Sequence, residues 1–209
     1  DQPRFLATNR PGLLQKSGGQ RTDAIPKESI VTEIVHTLAD VSDRYDAAFV
    51  DLWGCVHDGI AALPDAVAAL RAFRGRGGKV VLVTNSPRPR AAVADQIADM
   101  GVPEDAWDTI ATSGDSARTA MYAGAVGPRV WFMGEEPRDS AFFAPPALLD
   151  TPLDIARVPL ADATGIVCCG PFDSLADPAD NRPDFEAAIA RDLPLLCANP
   201  DIIVDRGET

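Results

Sequence analysis

Lysine is scarce. It occurs three times in 209 residues, and 19 basic side chains face 31 acidic ones, for a net charge of −12. Nonspecific nucleic-acid binding needs clustered Lys and Arg against the phosphates, and docking on an anionic membrane surface needs the same. This charge argues against both partners. Long apolar runs are missing too. None reaches the roughly 18 residues that span a bilayer. The first residues, DQPRFLATNRPGLLQK, lack the apolar stretch and small-residue cleavage site of a secretory signal. Only four cysteines occur, Cys55, Cys168, Cys169 and Cys197, with no C-x-x-C spacing. Neither a zinc site nor a disulfide framework is expected from that pattern. Thiols with apolar neighbours suit a reducing cytosol, so the expected location is cytoplasmic.

What is present is an ordinary globular composition, 46% hydrophobic and 24% charged. The length suits one large domain or two small ones. Residues 1–28 show no periodicity and read as a flexible arm. Ile30, Ile34, Leu38 and Val41 recur at helical spacing, which predicts a helix over 30–44 capped by Ser29. DAAFVDLW, residues 46–53, reads as a buried strand ending in an acid. Pro64 opens a helix whose Val67, Leu70 and Phe73 share a face, and GRGG at 75–78 stops it. KVVLVT at 79–84 is continuous and β-branched, a second strand. A helix over about 89–100 and a strand over 108–111 follow. Ser113-Gly114-Asp115 reads as the start of another helix.

Strand, helix, strand, helix and strand at this spacing make a parallel α/β unit. From residue 115 onward Pro-rich joints separate strands at 129–134, 165–170 and 194–199, with a helix at 183–191. This is a second, smaller α/β module. In parallel sheets functional groups gather at the carboxyl edge. Two strand ends stand out there, Asp51 and Thr84-Asn85. A carboxylate so placed can attack phosphorus, and the loop amides from Leu52 to Gly54 could cradle phosphate oxygens. Thr84 adds a hydroxyl and Asn85 an amide. Phosphoryl transfer needs such a nucleophile, donors to the equatorial oxygens and a divalent ion. The competing reading makes Asp51 a solvated turn acid and Thr84-Asn85 a plain strand end.

DLWGCVHDG (51–59) resembles the first motif of the haloacid dehalogenase superfamily, and VTNSPR (83–88) its second. VWFMGEE (130–136), GIVCCGPFD (165–173) and CANPDIIVDRG (197–207) resemble subclass IIA, the NagD-like hydrolases. The resemblance implies a Rossmann-like parallel core with an inserted α/β cap. Residues 29–112 would be the first half of the core, 113–198 the cap and 199–209 the return segment. It implies Asp51 as nucleophile and Mg²⁺ ligand, and Trp53 as a second ligand through its backbone carbonyl. Gly54, Thr84 and Asn85 would hold phosphate, and Asn199 and Asp201 would lie where the cap rejoins the core. A small phosphorylated molecule would be the substrate, and two copies would pair through their caps.

The sequence departs from that pattern twice. Trp53 stands where the family's phosphatases place the acid–base Asp, whose loss costs roughly 10²–10⁴ in rate. His57 and Asp58, four and five residues on, could substitute, or could be an exposed loop His and a turn Asp. Arg138, Asp139 and Arg182 are the charged cap candidates, read as surface residues. The family's Lys-bearing third motif and acidic fourth motif follow the N-P-D segment, and this sequence extends eight residues past Asp201. GDSART at 114–119 lies before the cap, in the wrong order. The resulting expectation is a phosphatase-type hydrolase for the family and weak or no turnover for these 209 residues. The alternative is a binding or remnant protein on the same fold. A core lacking its last strands would leave the strand of Asp51 as an unpaired edge.

Overall fold

A computed structural model describes residues 5–7, 34–147, 149–173 and 175–201. Two four-stranded parallel sheets organise them. The first contains β1 (Phe5–Ala7), β2 (Ala47–Asp51), β3 (Lys79–Thr84) and β4 (Thr109–Thr112), side by side in chain order. The second contains β5 (Arg129–Met133), β6 (Ala156–Arg157), β7 (Gly165–Cys168) and β8 (Leu195–Cys197), in the order β6-β5-β7-β8. The fold is α/β throughout, as the alternation of strands and helices predicts. No helix among the described residues is long and apolar enough to cross a membrane.

In the first sheet the helices supply the cover. Helix α2 (Pro64–Gly75) starts at Pro64, whose fixed φ suits the first helical turn. It buries Val67, Leu70 and Phe73 along one face, and α3 (Arg90–Asp99) buries Val93 and Ile97. These meet Val80 and Leu82 of β3, both fully buried. Each such side chain contributes about 1.5–3 kcal/mol on leaving water. At the sheet's amino edge the charges are tied off. Asp108 accepts from the Val80 amide at 2.8 Å, from Arg74 at 3.0 and 3.1 Å and from Lys79 at 3.3 Å. Burial alone would raise its pKa, but Arg74, the Val80 amide and Lys79 together hold it down to about 2.

Two expectations fail here. The strand of Asp51 is not an edge, because Phe5–Ala7 pairs parallel alongside Ala47–Phe49 and takes up that edge. The helix expected over 30–44 is, among the described residues, only α1 (Ala39–Ser42). The Asp40 carboxylate turns back to accept from the amides of Thr37 at 2.9 Å and His36 at 3.1 Å, which starts the helix late. Ser29 and most of the expected arm over 1–28 lie outside the described residues.

Helix α4 (Ser113–Tyr122) joins the two sheets. Thr112 caps it, its hydroxyl accepting from the Asp115 amide at 2.9 Å, so Ser113-Gly114-Asp115 is indeed a helix start. Gly114 sits against the loop after β3. A Cβ there would lie 2.2 Å from the Pro87 carbonyl oxygen. Further along, Ala117, Met121 and Tyr122 enter the second core with Val130, Phe132, Val167 and Phe142. This core is aromatic where the first is aliphatic. Phe132, Phe142 and Phe143 touch one another, and the Arg157 guanidinium lies over two of the rings, at 5.0 and 4.8 Å. On the other face Trp131 meets Phe172 and Phe185 edge-on, the latter from α5 (Arg182–Ile189).

Candidate functional site

The carboxyl ends of β2 and β3 open into a cleft of about 670 Å³. Asp51, Leu52, Trp53 and His57 form one wall, and Thr84 to Arg88 the next. Arg138, Asp139, Cys169 and Gly170 come from the second module, and Asn199 and Asp201 from the returning chain. In-register pairing of β2 with β3, with Asp51 opposite Val83, is what brings Asp51 beside Thr84 and Asn85. A smaller cleft of about 370 Å³ at the amino edge is lined by Arg71, Arg74, Lys79, Asp105 and Asp108, which pair with one another. Its charged lining is tied up in these pairs, which leaves the cleft at the carboxyl edge as the candidate site.

Asp51 is exposed to the cleft. Its Oδ1 accepts from the Leu52 amide at 2.8 Å, which fixes the carboxylate against its own loop. The loop then folds back on itself. The Gly54 amide donates to the His57 carbonyl at 2.8 Å, and the amides of Val56 and His57 donate to Leu52. Gly54, at φ +68°, therefore serves the turn and does not border the cleft. Among the described residues no acceptor takes the Trp53 amide, so on this loop the N–H of Trp53, and not that of Gly54, is left open. The Trp53 carbonyl likewise receives no donor there. Thr84 Oγ1 accepts from the Ser86 amide at 3.2 Å, and Asn85 donates its side-chain N–H to the Asp201 carboxylate. Asn199 Oδ1 accepts from the Asp201 amide at 3.1 Å and sets that carboxylate.

His57 and Asp58 separate in character. Asp58 is a turn acid, exposed, accepting from the amides of Ala61 at 2.8 Å and Ile60 at 2.9 Å, which hold its carboxyl below the usual range. His57 is buried at 4% exposure and lines the cleft, contrary to the exposed-loop reading. Burial pushes its pKa down, against the charges of Asp58 and Asp51. Its Nδ1 accepts from the Gly59 amide at 3.1 Å, which leaves the proton of the neutral ring on Nε2. Trp53 packs edge-on to this ring with centroids 5.8 Å apart. The indole also covers Gly59, where a Cβ would lie 2.3 Å from it. The large side chain at 53 and the absent one at 59 thus fit each other.

Arg138 is exposed and lines the cleft, but Asp139 is not the surface residue expected. Asp139 is buried, and its carboxylate accepts from the Glu135 amide at 2.9 Å and from Arg138 Nε and Nη2, both at 3.2 Å. Arg138 also pairs with Glu135 at 2.7 Å. Their neighbours in sequence are a Pro and a Ser, so nothing local signals this burial. Arg182 stays exposed at the start of α5. Sequence reasoning missed Arg88, which lines the cleft and donates to Gln96 at 3.0 Å.

Residues 48–143 match the family model described as haloacid dehalogenase-like hydrolase. The chain is 34% identical over 105 residues to human glycerol-3-phosphate phosphatase, covering 46% of this chain and 32% of that protein. A hydrolase of the haloacid dehalogenase-like family from Brucella suis superposes with a TM-score of 0.75 at 40% identity, over 85% of this chain and 64% of that one. A glycerol phosphate phosphatase from Mycobacterium tuberculosis, in complex with magnesium, shares the fold. Its TM-score is 0.56 at 23% identity, over 80% of this chain and 48% of that one. The chain thus spans about a third of the curated relative's length and just under two thirds of the Brucella structure's. Motif order, sheet topology and these matches agree in likening the chain, over residues 48–143 in sequence and more widely in fold, to the haloacid dehalogenase-like hydrolases.

Proposed function

We propose that this chain carries the nucleophile of a phosphatase of the NagD-like subclass, acting in the cytoplasm on a small phosphorylated metabolite through an aspartyl-phosphate. One observation carries the reading: Asp51, whose Oδ2 takes no hydrogen bond among the described residues, faces a cleft that also holds Thr84, Asn85 and the open Trp53 amide. Asp51 attacks phosphorus, the ester oxygen leaves, and water later cleaves the acyl phosphate. Thr84, Asn85 and the Trp53 amide orient the phosphoryl oxygens. Residues 113–198 act as the cap that supplies the opposite wall.

The donors present suit magnesium, which keeps several waters and takes one or two carboxylates plus substrate phosphate. Asp51 and the Trp53 carbonyl would hold it, and no cluster of three acidic, His or Cys groups occurs among the described residues. When bound, the ion would neutralise charge on the phosphoryl oxygens. Trp53 cannot protonate the leaving oxygen. His57 Nε2–H, at the same wall, is the group that fits this part, and Asp58 does not reach the cleft.

The test is trapping of labelled phosphate from an acyl or aryl phosphate in the presence of Mg²⁺. Labelling of the wild type, lost in Asp51→Asn, supports the reading. Trp53→Asp should then speed turnover by about 10²–10⁴ by restoring a general acid. If wild type and Asp51→Asn behave alike, the second reading stands. It rests on Trp53 and makes the chain a phosphate-binding protein without turnover.

A further inference from the structure

Cys168 and Cys197 are in-register partners on the adjacent parallel strands β7 and β8. Such partners have Cα atoms about 4.8 Å apart, which lies within the range that a disulfide bridges. Side chains at directly paired positions stand on the same face of the sheet, so the two thiols point the same way. Cys197 is exposed and Cys168 half-buried, so an external reagent reaches the first and the second lies next to it. Cys169, one residue on, points to the opposite face and is buried in the aromatic core. Cys55 lies in the loop after β2, on the other sheet. The adjacent pair Cys168-Cys169 is thus divided by the pleat, and the working pair is formed across strands.

We propose that Cys168 and Cys197 form a dithiol site that is reversibly oxidised to a cross-strand disulfide by a small disulfide. The Cys197 thiolate attacks one sulfur of the reagent, giving a mixed disulfide and releasing one thiolate. The Cys168 thiol loses its proton and attacks Cys197 Sγ. The Cys168–Cys197 bond forms and the second reagent thiol leaves. Two protein thiols and one disulfide become one protein disulfide and two thiols, with two electrons passing to the reagent.

The site has a route to the cleft. The Cys197 thiol donates to the Asn199 carbonyl at 3.1 Å, and Asn199 holds the Asp201 amide. Asp201 pairs with Asn85. A disulfide has no S–H, so oxidation removes the first of these bonds and releases the Asn199 carbonyl. Burial raises the Cys168 thiol to about 11, with the neighbouring Cys197 adding to the shift, so the second step is slow near neutral pH and faster in mild alkali.

The experiment incubates the full chain with oxidised glutathione at mildly alkaline pH and reads intact mass and a non-reduced peptide map. The expected result is loss of two hydrogens, reversed by dithiothreitol, and a cross-link joining the peptides that hold Cys168 and Cys197. Cys169→Ala should retain the cross-link, and Cys168→Ala should stop at the glutathione adduct on Cys197. A wild type that also stops at the adduct, or a cross-link through Cys169 or Cys55, overturns the proposal. Because the readout is covalent mass, it stands apart from whether the cleft turns over phosphate.

Discussion

The two sheets are built alike and covered differently. The first is roofed by α2 and α3, whose apolar residues recur every three or four positions. The second has one face closed by α4 and by the Phe142–Phe143 turn, with an Arg side chain laid over the rings. Periodic cover leaves a trace in sequence, whereas cover by an irregular loop does not. The difference also separates the tasks: the regular sheet holds Asp51 and Thr84 at fixed strand ends, and the irregular one reaches over them with Arg138 and Gly170.

The largest expected effect tests whether the two cores stand or fall together. Phe142→Ala in the second core should cost about 3–5 kcal/mol, and Leu82→Ala in the first about 2–5 kcal/mol. Trp107 reports on the first module and Trp131 on the second. Because α4 has one end in each, both fluorescence transitions should shift together in denaturant for either variant. Separate transitions would make the sheets independent units. The next effect is at the joint itself. Gly114→Ala forces a methyl into the Pro87 and Arg88 carbonyls and should cost about 1–3 kcal/mol. It should also separate the two transitions, which differential scanning calorimetry would resolve.

The smallest effect sharpens the contrast at the amino edge of the first sheet. The Asp108 carboxyl is held at about 2 against 3.8 for the free group. A depressed acid stabilises the fold above its ordinary pKa and loses that contribution as pH falls through the depressed one. About 2 kcal/mol should therefore disappear between pH 4 and 2, and Asp108→Asn should show a flatter profile in that window.

Much of the first module was legible. Pro64, the GRGG stop and the β-branched run at 79–84 each act locally, so the elements fall where the residues predict. Asp51 and Thr84-Asn85 could be read because strand ends in a parallel sheet share an edge. Three features could not be read, for physical reasons. Phe5–Ala7 is a strand only because Ala47–Phe49 offers it an edge, and no local pattern says so. The burial of Asp139 depends on the amide of Glu135 and the fork of Arg138 closing on it. The engagement of the Gly54 amide by His57 reflects a loop that bends back within four residues, which a motif written as spacing does not describe.

The contact between Asn85 and Asp201 joins residues 116 positions apart. During synthesis the β2–β3 pair can form once about residue 84 is free of the ribosome, but this wall of the cleft waits for the whole second module to be made. Long-range closures of this kind come late in folding and slowly. A nascent chain should therefore hold a formed strand pair and an open site for the time needed to translate more than a hundred residues. Asp51 spends that interval exposed before its far wall arrives.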